Sequence, residues 1–408
     1  MASPVVITGL GIVSPFGTSL DAFRDALVGG RTAVAPLTAF EIDACRARCA
    51  AAVADFDATR WIPVMKLRRM DITGQYAIAI ARQALDAAAL DYGTAPDDGV
   101  GVVVGTYTAG GSPTEEFLRA LFAQGPLGAP ALIFNATVAN IAASLVGLEL
   151  KLRGPNATIS HKEVSGLAAI AHGADLLRAG HGRVVIGAGI DALYPLFYKV
   201  HDRFRVLSHA NGRPEGSRPF DVTRNGFVLG EGGFAVVLEA AESARARGGR
   251  VEAELLATAS GGASVGINQW PDRPAPLVRV MAAALRQAGL TPAGVDVVYA
   301  SANSTVKLDA VEAAALRELF GGAGRAVVTS IKGAIGESGA AGAAACVAAV
   351  VCGRAGVVPP IAGLREPDAS CAGLRLARTA MPTPGPVALV NSIASGGALV
   401  SAVLRVAG

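Results

Sequence analysis

"GPNATISHKEVSGLAAI", residues 154–170, decides the fold. A short β-branched run leads into a polar turn, and small residues then open a helix. Read on to residue 189, "ATISHKEVSGLAAIAHGADLLRAGHGRVVIGAG" gives strand, turn, helix, strand. The same order returns in "AVVTSIKGAIGESGAAGAAACVAAVVCGRAGVV", residues 326–358. Upstream of each lies another matched pair, "ARQALDAAALDYGTAPDDGVGVVVGT" (81–106) and "ALRQAGLTPAGVDVVYASANST" (284–305). Each is a helix, a turn, a β-branched strand and a small-residue loop. A duplicated α/β unit is therefore expected. The helices at 164–179 and 339–352 are apolar nearly all round, so each must be covered on every side. That predicts helices sandwiched between two sheets. The halves are expected at 1–245 and 246–408, with a break near 240–255 and no linker, forming one compact unit.

Composition narrows the function. Of 408 residues, 51% are hydrophobic, only 17% are charged and 50 are glycine. This is a globular chain with a large core of Ala, Val and Leu. A net charge of +3 gives no reason to expect nucleic acid or a membrane surface as partner. Cys45, Cys49, Cys346, Cys352 and Cys371 show no zinc-type pairing and read as reduced structural thiols, with no metal and no cofactor expected. The start lacks a signal-peptide pattern, and the apolar run 339–352 is too short to span a bilayer, so a cytoplasmic protein is expected. In "TGLGIVSPFG", Gly9-x-Gly11-x-x-Ser14 misses the third glycine of a dinucleotide fingerprint. It reads as a turn after the first strand.

Several separate stretches in the right order resemble the β-ketoacyl synthases of the thiolase fold, from about Val5 to about Arg405. They are "VVITGLGIVSPFG", "MDITGQYAIAIARQAL", "GPNATIS" and "RPFDVTRNGFVLGEGGFAVVLE" (218–239). The resemblance implies an α/β protein, its duplicated units forming a five-layered α-β-α-β-α sandwich. It also implies three catalytic side chains. In that family a cysteine at a helix N-terminus accepts the acyl chain, the dipole favouring its thiolate. Two histidines stabilise the charge that develops as malonyl-carrier protein is decarboxylated. Here the cysteine position is Glu163. The first histidine belongs to a motif like N-A-H-G-T-G-T. The matching run "YASANST" is read as placing Ser301 there, with Asp309 and Glu312 matching downstream. The second follows S-x-K-x-x-x-G. "SIKGAIGES" keeps Ser330, Lys332 and Gly336 and puts Glu337 in its place. His161, His172, His181, His201 and His209 fall at neither position.

A carboxylate is a poor acyl acceptor, because the mixed anhydride it would form is readily hydrolysed. Glu337 would set negative charge where donors are needed. No catalytic residue is expected, and Glu163 reads as an acid stabilising a helix N-terminus. The sharper alternative makes Glu163 or Glu337 an acid/base group of an independent enzyme acting on carrier-bound chains. A third reading is a homodimeric binding protein for acyl carriers.

The pattern resembles the chain-length factor, or ketosynthase β-subunit, of type II polyketide synthases. The resemblance implies a heterodimer with a catalytic ketosynthase, an acyl carrier protein bearing a phosphopantetheine-bound chain, and an acyl tunnel at the interface. "VDVVYASANSTVKLDAVEA" and "GVVPPIAGL" support it. Glutamate rather than glutamine at 163 and the ending "ALVNSIASGGALVSAVLR" depart from the aromatic branch. They point to reduced or polyene chains. Ser395 stands where the family's gating phenylalanine would be. The expected tunnel residues are Gly111, Thr114, Leu118, Phe134, Leu196 and Phe197, with core packing as the alternative for Leu118 and Phe134. Small Gly110 and Gly111 are read as leaving the tunnel long.

Overall fold

The computed structural model describes residues 4–68, 70–321 and 325–408. Its first half contributes strands β1 (Val5–Val13), β2 (Val100–Thr106), β3 (Asn156–Ile159), β4 (Val184–Asp191) and β5 (Gly232–Ala240). The second contributes β6 (Ala253–Gly262), β7 (Val297–Tyr299), β8 (Val327–Thr329), β9 (Arg375–Leu376), β10 (Val387–Ile393) and β11 (Ala398–Val406). The first five run in the order β3-β2-β4-β5-β1, and the second set repeats it as β8-β7-β10-β11-β6, with β9 added at the edge. Parallel pairing gives way to antiparallel pairing at the same place in both, at β4–β5 and at β10–β11. The duplication read from the sequence is thus present in the strand order.

The two sets were expected as separate sheets. Hydrogen bonding instead joins them, among the described residues, into one sheet of eleven strands. The junction is short: Val5 pairs with Leu255, Val6 with Glu254 and Ile7 with Ala253, all antiparallel. The sheet is better pictured as two arms meeting at this seam.

Helices α4 (Ser165–Arg178) and α8 (Ala341–Arg354) lie between the arms. They touch each other, and each touches strands of both arms. Outside one arm lie α1 (Ile72–Ala87) and α3 (Ile141–Leu150), and outside the other α6 (Ala275–Gln287) and α7 (Val306–Phe320). This is the expected α-β-α-β-α layering. The sequence explains why the middle layer is thin. Ala341 to Cys346 of α8 are all buried. A Cβ on Gly189 would sit 2.9 Å from the Gly166 Cα, and one on Gly166 would sit 3.0 Å from the Gly339 carbonyl.

The glycines of "TGLGIV" are not in a turn, as the sequence suggested. They lie inside β1, and the turn comes later at Ser14–Gly17. Their role is close packing. A Cβ on Gly9 would come within 2.0 Å of the Ala84 carbonyl of α1, and one on Gly11 within 2.0 Å of the Ile80 carbonyl. No described helix is long and apolar enough to cross a membrane. The five cysteines are free, and burial pushes the Cys346 and Cys352 thiols up to about 12.

One such contact in the middle layer predicts a large effect. A Cβ on Gly105 of β2 would lie 2.0 Å from the Ser165 carbonyl that opens α4. Gly105→Ala should therefore cost at least about 2 kcal/mol in urea denaturation. An unchanged midpoint would show that the layer can yield.

Candidate functional site

Strand β3 delivers the chain to the site and ends at Ile159. Lys162 then takes a left-handed φ of 52°, and a short 3-10 turn, Lys162–Val164, leads into α4. Ser165 secures the turn: its Oγ accepts from the His161 amide at 2.8 Å and donates to the Lys162 carbonyl at 2.7 Å. Ser165 is thus a turn fastener.

Glu163 is 5% exposed. Its Oε1 accepts from the Ser395 hydroxyl at 2.9 Å and its Oε2 from the Ser395 amide at 3.1 Å. The Ser392 hydroxyl donates to its carbonyl at 3.0 Å. The side chain is therefore clamped by the loop between β10 and β11, 232 residues away in sequence. Burial raises the carboxyl from 4.5 to about 7, with the nearby Glu337 charge adding to the rise and Ser395 and Lys162 opposing it. Burial outweighs any favour from the helix terminus, so the helix-stabilising account of Glu163 gives way.

A second cluster lies beside it, wholly buried. Lys332 Nζ donates to Glu337 Oε2 at 2.8 Å and to Ser301 Oγ at 3.1 Å. Asn303 Nδ2 donates to the same Glu337 oxygen at 2.7 Å. Ser301 Oγ also accepts from the Ile393 amide at 3.0 Å, and the Ser301 amide donates to Glu312 Oε1 at 2.9 Å. Two expectations change. Glu337 does not present bare negative charge, because Lys332 and Asn303 saturate the oxygen they share. The motif register also moves. Ser304 has a φ of 79°, the left-handed region that favours glycine. In N-A-H-G-T the glycine follows the histidine, so Ser301–Thr305 overlays the motif and Asn303, not Ser301, takes the histidine place. The departure from glycine at 304 hid this from a reading by residue type.

The stretch 218–239 braces this cluster from below. Asp309 accepts from the Phe220 amide at 2.8 Å and the Asn303 amide at 2.9 Å. Arg224 lies 3.7 Å from Asp309 and 3.0 Å from Asp368. The Glu337 amide donates to the Val228 carbonyl at 2.8 Å, and its carbonyl accepts from the Gly230 amide at 2.9 Å.

Glu163 opens onto a cleft of about 370 Å³. Of the six residues named for a tunnel, Gly111, Thr114, Leu196 and Phe197 line it. Leu118 and Phe134 do not border it. Leu118 is half-buried on α2 (Gly111–Gln124), and Phe134 is 54% exposed and packs on Phe117. Neither belongs to the buried core, and Phe134 is exposed to solvent. Gly111 is small for a local reason: a Cβ there would meet the Tyr194 ring at 2.6 Å. Gly110 has a φ of 78°. The two glycines answer to packing and turn geometry.

Several lining residues were not anticipated. Tyr107 and His201 stand at the inner end with Phe227, and Asn268 and Trp270 stand on a loop near Ser395. The Tyr107 segment is fixed by Asp191 at the end of β4, whose Oδ1 accepts from the Tyr107 amide at 2.7 Å and the Thr108 amide at 2.9 Å. Lys162 Nζ reaches both Asn268 Oδ1 and Ser395 Oγ. His201 follows Phe197 by one helical turn in "YPLFYKVH", which was the available signal.

Two measurements test this geometry. Glu163 has a folded pKa raised above its unfolded value, so it is neutral in both states at low pH and costs stability as pH rises through 7. Glu163→Gln should gain on the natural protein between pH 5 and pH 8, by up to about 3 kcal/mol. A pH-independent difference would contradict a buried, strained carboxyl. Lys332→Met should cost about 3–5 kcal/mol by stranding Glu337, and Lys332→Met with Glu337→Leu should recover much of that loss. Equal loss in the single and double variants would refute the pairing.

Comparison with known proteins accords with this layout. Residues 2–244 match the β-ketoacyl synthase N-terminal domain and residues 240–365 the C-terminal domain. The chain is 33% identical over 371 residues to a 3-oxoacyl-[acyl-carrier-protein] synthase 2 of Coxiella burnetii, covering 90% of each chain. It is 34% identical over 382 residues to the oxytetracycline polyketide putative beta-ketoacyl synthase 1 of Streptomyces rimosus, covering 91% of this chain and 89% of the relative. The solved ishigamide ketosynthase/chain length factor superposes with a TM-score of 0.91 at 28% identity, over the whole of both chains. With its thiolase-type layering, the chain belongs to the β-ketoacyl synthase family.

Proposed function

We propose that this chain is the non-catalytic, chain-length-setting partner of a ketosynthase in type II polyketide biosynthesis. One observation carries the reading. The nucleophile position holds Glu163, buried and clamped by Ser395, at the edge of an intact apolar cleft. A carboxylate there cannot hold an acyl chain as a thioester. The histidine places hold Asn303 and Glu337, spent on one another and on Lys332. What survives is a shaped cavity, which suits a protein that bounds a chain grown elsewhere.

The surface supports a partner. Phe122, Leu127, Leu132, Phe134 and Leu148 are 83%, 103%, 94%, 54% and 73% exposed. They fall within residues 122–148, shortly before the edge strand β3. So many exposed large apolar side chains in one stretch are unusual on a protein that stays alone. In a heterodimer it would be covered, and Leu118 and Phe134 could then complete a tunnel wall from outside the cleft. Among the relatives, one is a ketosynthase/chain length factor and others are polyketide or acyl-carrier-protein synthases. By analogy the ligand is a chain carried on the phosphopantetheine of an acyl carrier protein. The mostly hydrocarbon and aromatic lining favours a reduced or polyene chain. The halves 1–245 and 246–408 would act as one unit in the cytoplasm.

The raised pKa of Glu163 favours a second reading, an acid/base enzyme acting on carrier-bound chains. Co-expression with a cysteine-bearing ketosynthase and its carrier protein separates the two. Glu163→Gln should keep most of the complex's product, whereas an acid/base enzyme would lose about 100-fold or more. Leu196→Trp, which narrows the cleft without touching the Gly111–Tyr194 contact, should shorten the product. Unchanged length would argue that this cleft does not measure the chain.

A further inference from the structure

At the inner end of the cleft, His201 lies among aromatic rings. Its ring centroid is 4.3 Å from that of Phe197, 6.1 Å from Tyr107 and 6.2 Å from Phe227. His201 Nδ1 is 2.8 Å from the Phe197 carbonyl, one turn back on α5 (Pro195–Arg203). A carbonyl oxygen only accepts, so Nδ1 carries the proton. Burial lowers the pKa of the ring, the bond to the Phe197 carbonyl opposes the fall and the neighbouring Lys162 charge adds to it, so the net direction favours the neutral ring. Nε2 is then a bare lone pair: it can accept a hydrogen bond and cannot give one.

This asymmetry has a chemical consequence. A saturated chain filling the cleft would strip water from Nε2 and return nothing. A ketone is also an acceptor, and would face Nε2 lone pair to lone pair. A hydroxyl donates, and satisfies it. We propose that His201 is a specificity-determining residue, and that the cleft selects an acyl chain bearing a hydroxyl at the depth of its Nε2 over the same chain bearing a ketone or a methylene there. The Tyr107 hydroxyl can donate or accept, so the choice falls to His201. The proposal rests on the acyl-cleft reading above and adds the oxidation level of one carbon. A hydroxyl at that carbon is the product of ketone reduction, so a carbonyl-reducing step must act on the chain before it reaches this depth.

The test is calorimetric titration of the full chain with N-acetylcysteamine thioesters of a ten-carbon acid. The series is saturated, or carries a hydroxyl or a ketone at carbon 3, 5, 7 or 9. One hydroxy isomer should bind about three- to tenfold more tightly than both its ketone and the saturated chain. In His201→Phe that ratio should fall to about one. In His201→Gln, whose amide oxygen can accept, part of it should return, which guards against a misfolded Phe variant. Ketones binding as well as hydroxy isomers at every position, or a preference surviving in His201→Phe, would overturn the proposal while leaving the acyl cleft standing. Failure of every chain to bind, the saturated one included, would overturn both.

Discussion

Two helices share one thin layer between two arms of a sheet, and everything in the site hangs from that layer. Gly105, Gly166 and Gly189 let α4 and α8 approach the strands and each other at backbone distance. Residue 163 sits at the entrance to α4, so its depth is set by this packing and not by its own chemistry. A long, ionisable side chain at such a depth must find partners or lose its charge. Ser395 supplies the partners, and where the resemblance implies a phenylalanine its small hydroxymethyl group leaves the carboxyl room. The two residues are complementary: a buried carboxyl that needs donors, and a serine whose hydroxyl and amide supply them.

The same logic governs the second cluster. Lys332 is buried and needs a counter-charge, which Glu337 provides at 2.8 Å. Asn303 completes the contact from the loop after β7. A region that in the resembling enzymes would bind a substrate oxygen is here satisfied from within the chain. Buried charges whose hydrogen bonds are all internal hold a shape well and have little left to offer a ligand. The polar interior therefore keeps the cleft walls in register, while Tyr107 and His201 line its aromatic end.

What the sequence disclosed follows the range of the contact. The strand–turn–helix at 154–170 and its echo at 326–358 are local patterns and were legible. So was the fate of the two all-round apolar helices, since only a covered layer can hold them. The glycines of β1 were misplaced because a glycine pair reads alike in a turn and in a strand pressed against a helix. Asn303 was missed because a serine occupies a left-handed position where the motif has glycine. The Glu163–Ser395 clamp joins residues 232 apart, and the Lys332–Glu337 pair depends on a bend at Gly336, with a φ of 73°. Neither has a local signature. For Leu118 and Phe134, residue type alone does not tell an interior side chain from one on a face that awaits cover.

The seam between the arms bears on how the chain is made. Strand β1 lies far ahead in sequence of both its neighbours, residues 233–240 on one side and 253–255 on the other. A nascent chain must carry this nine-residue strand, buried at every position once folded, without its sheet partners until those residues have followed it. Helix α1, which packs on this strand, is synthesised before those partners and is available to shield it until the polypeptide doubles back. Slow or interrupted elongation before residue 255 would leave that edge open to pairing with another ribosome's product.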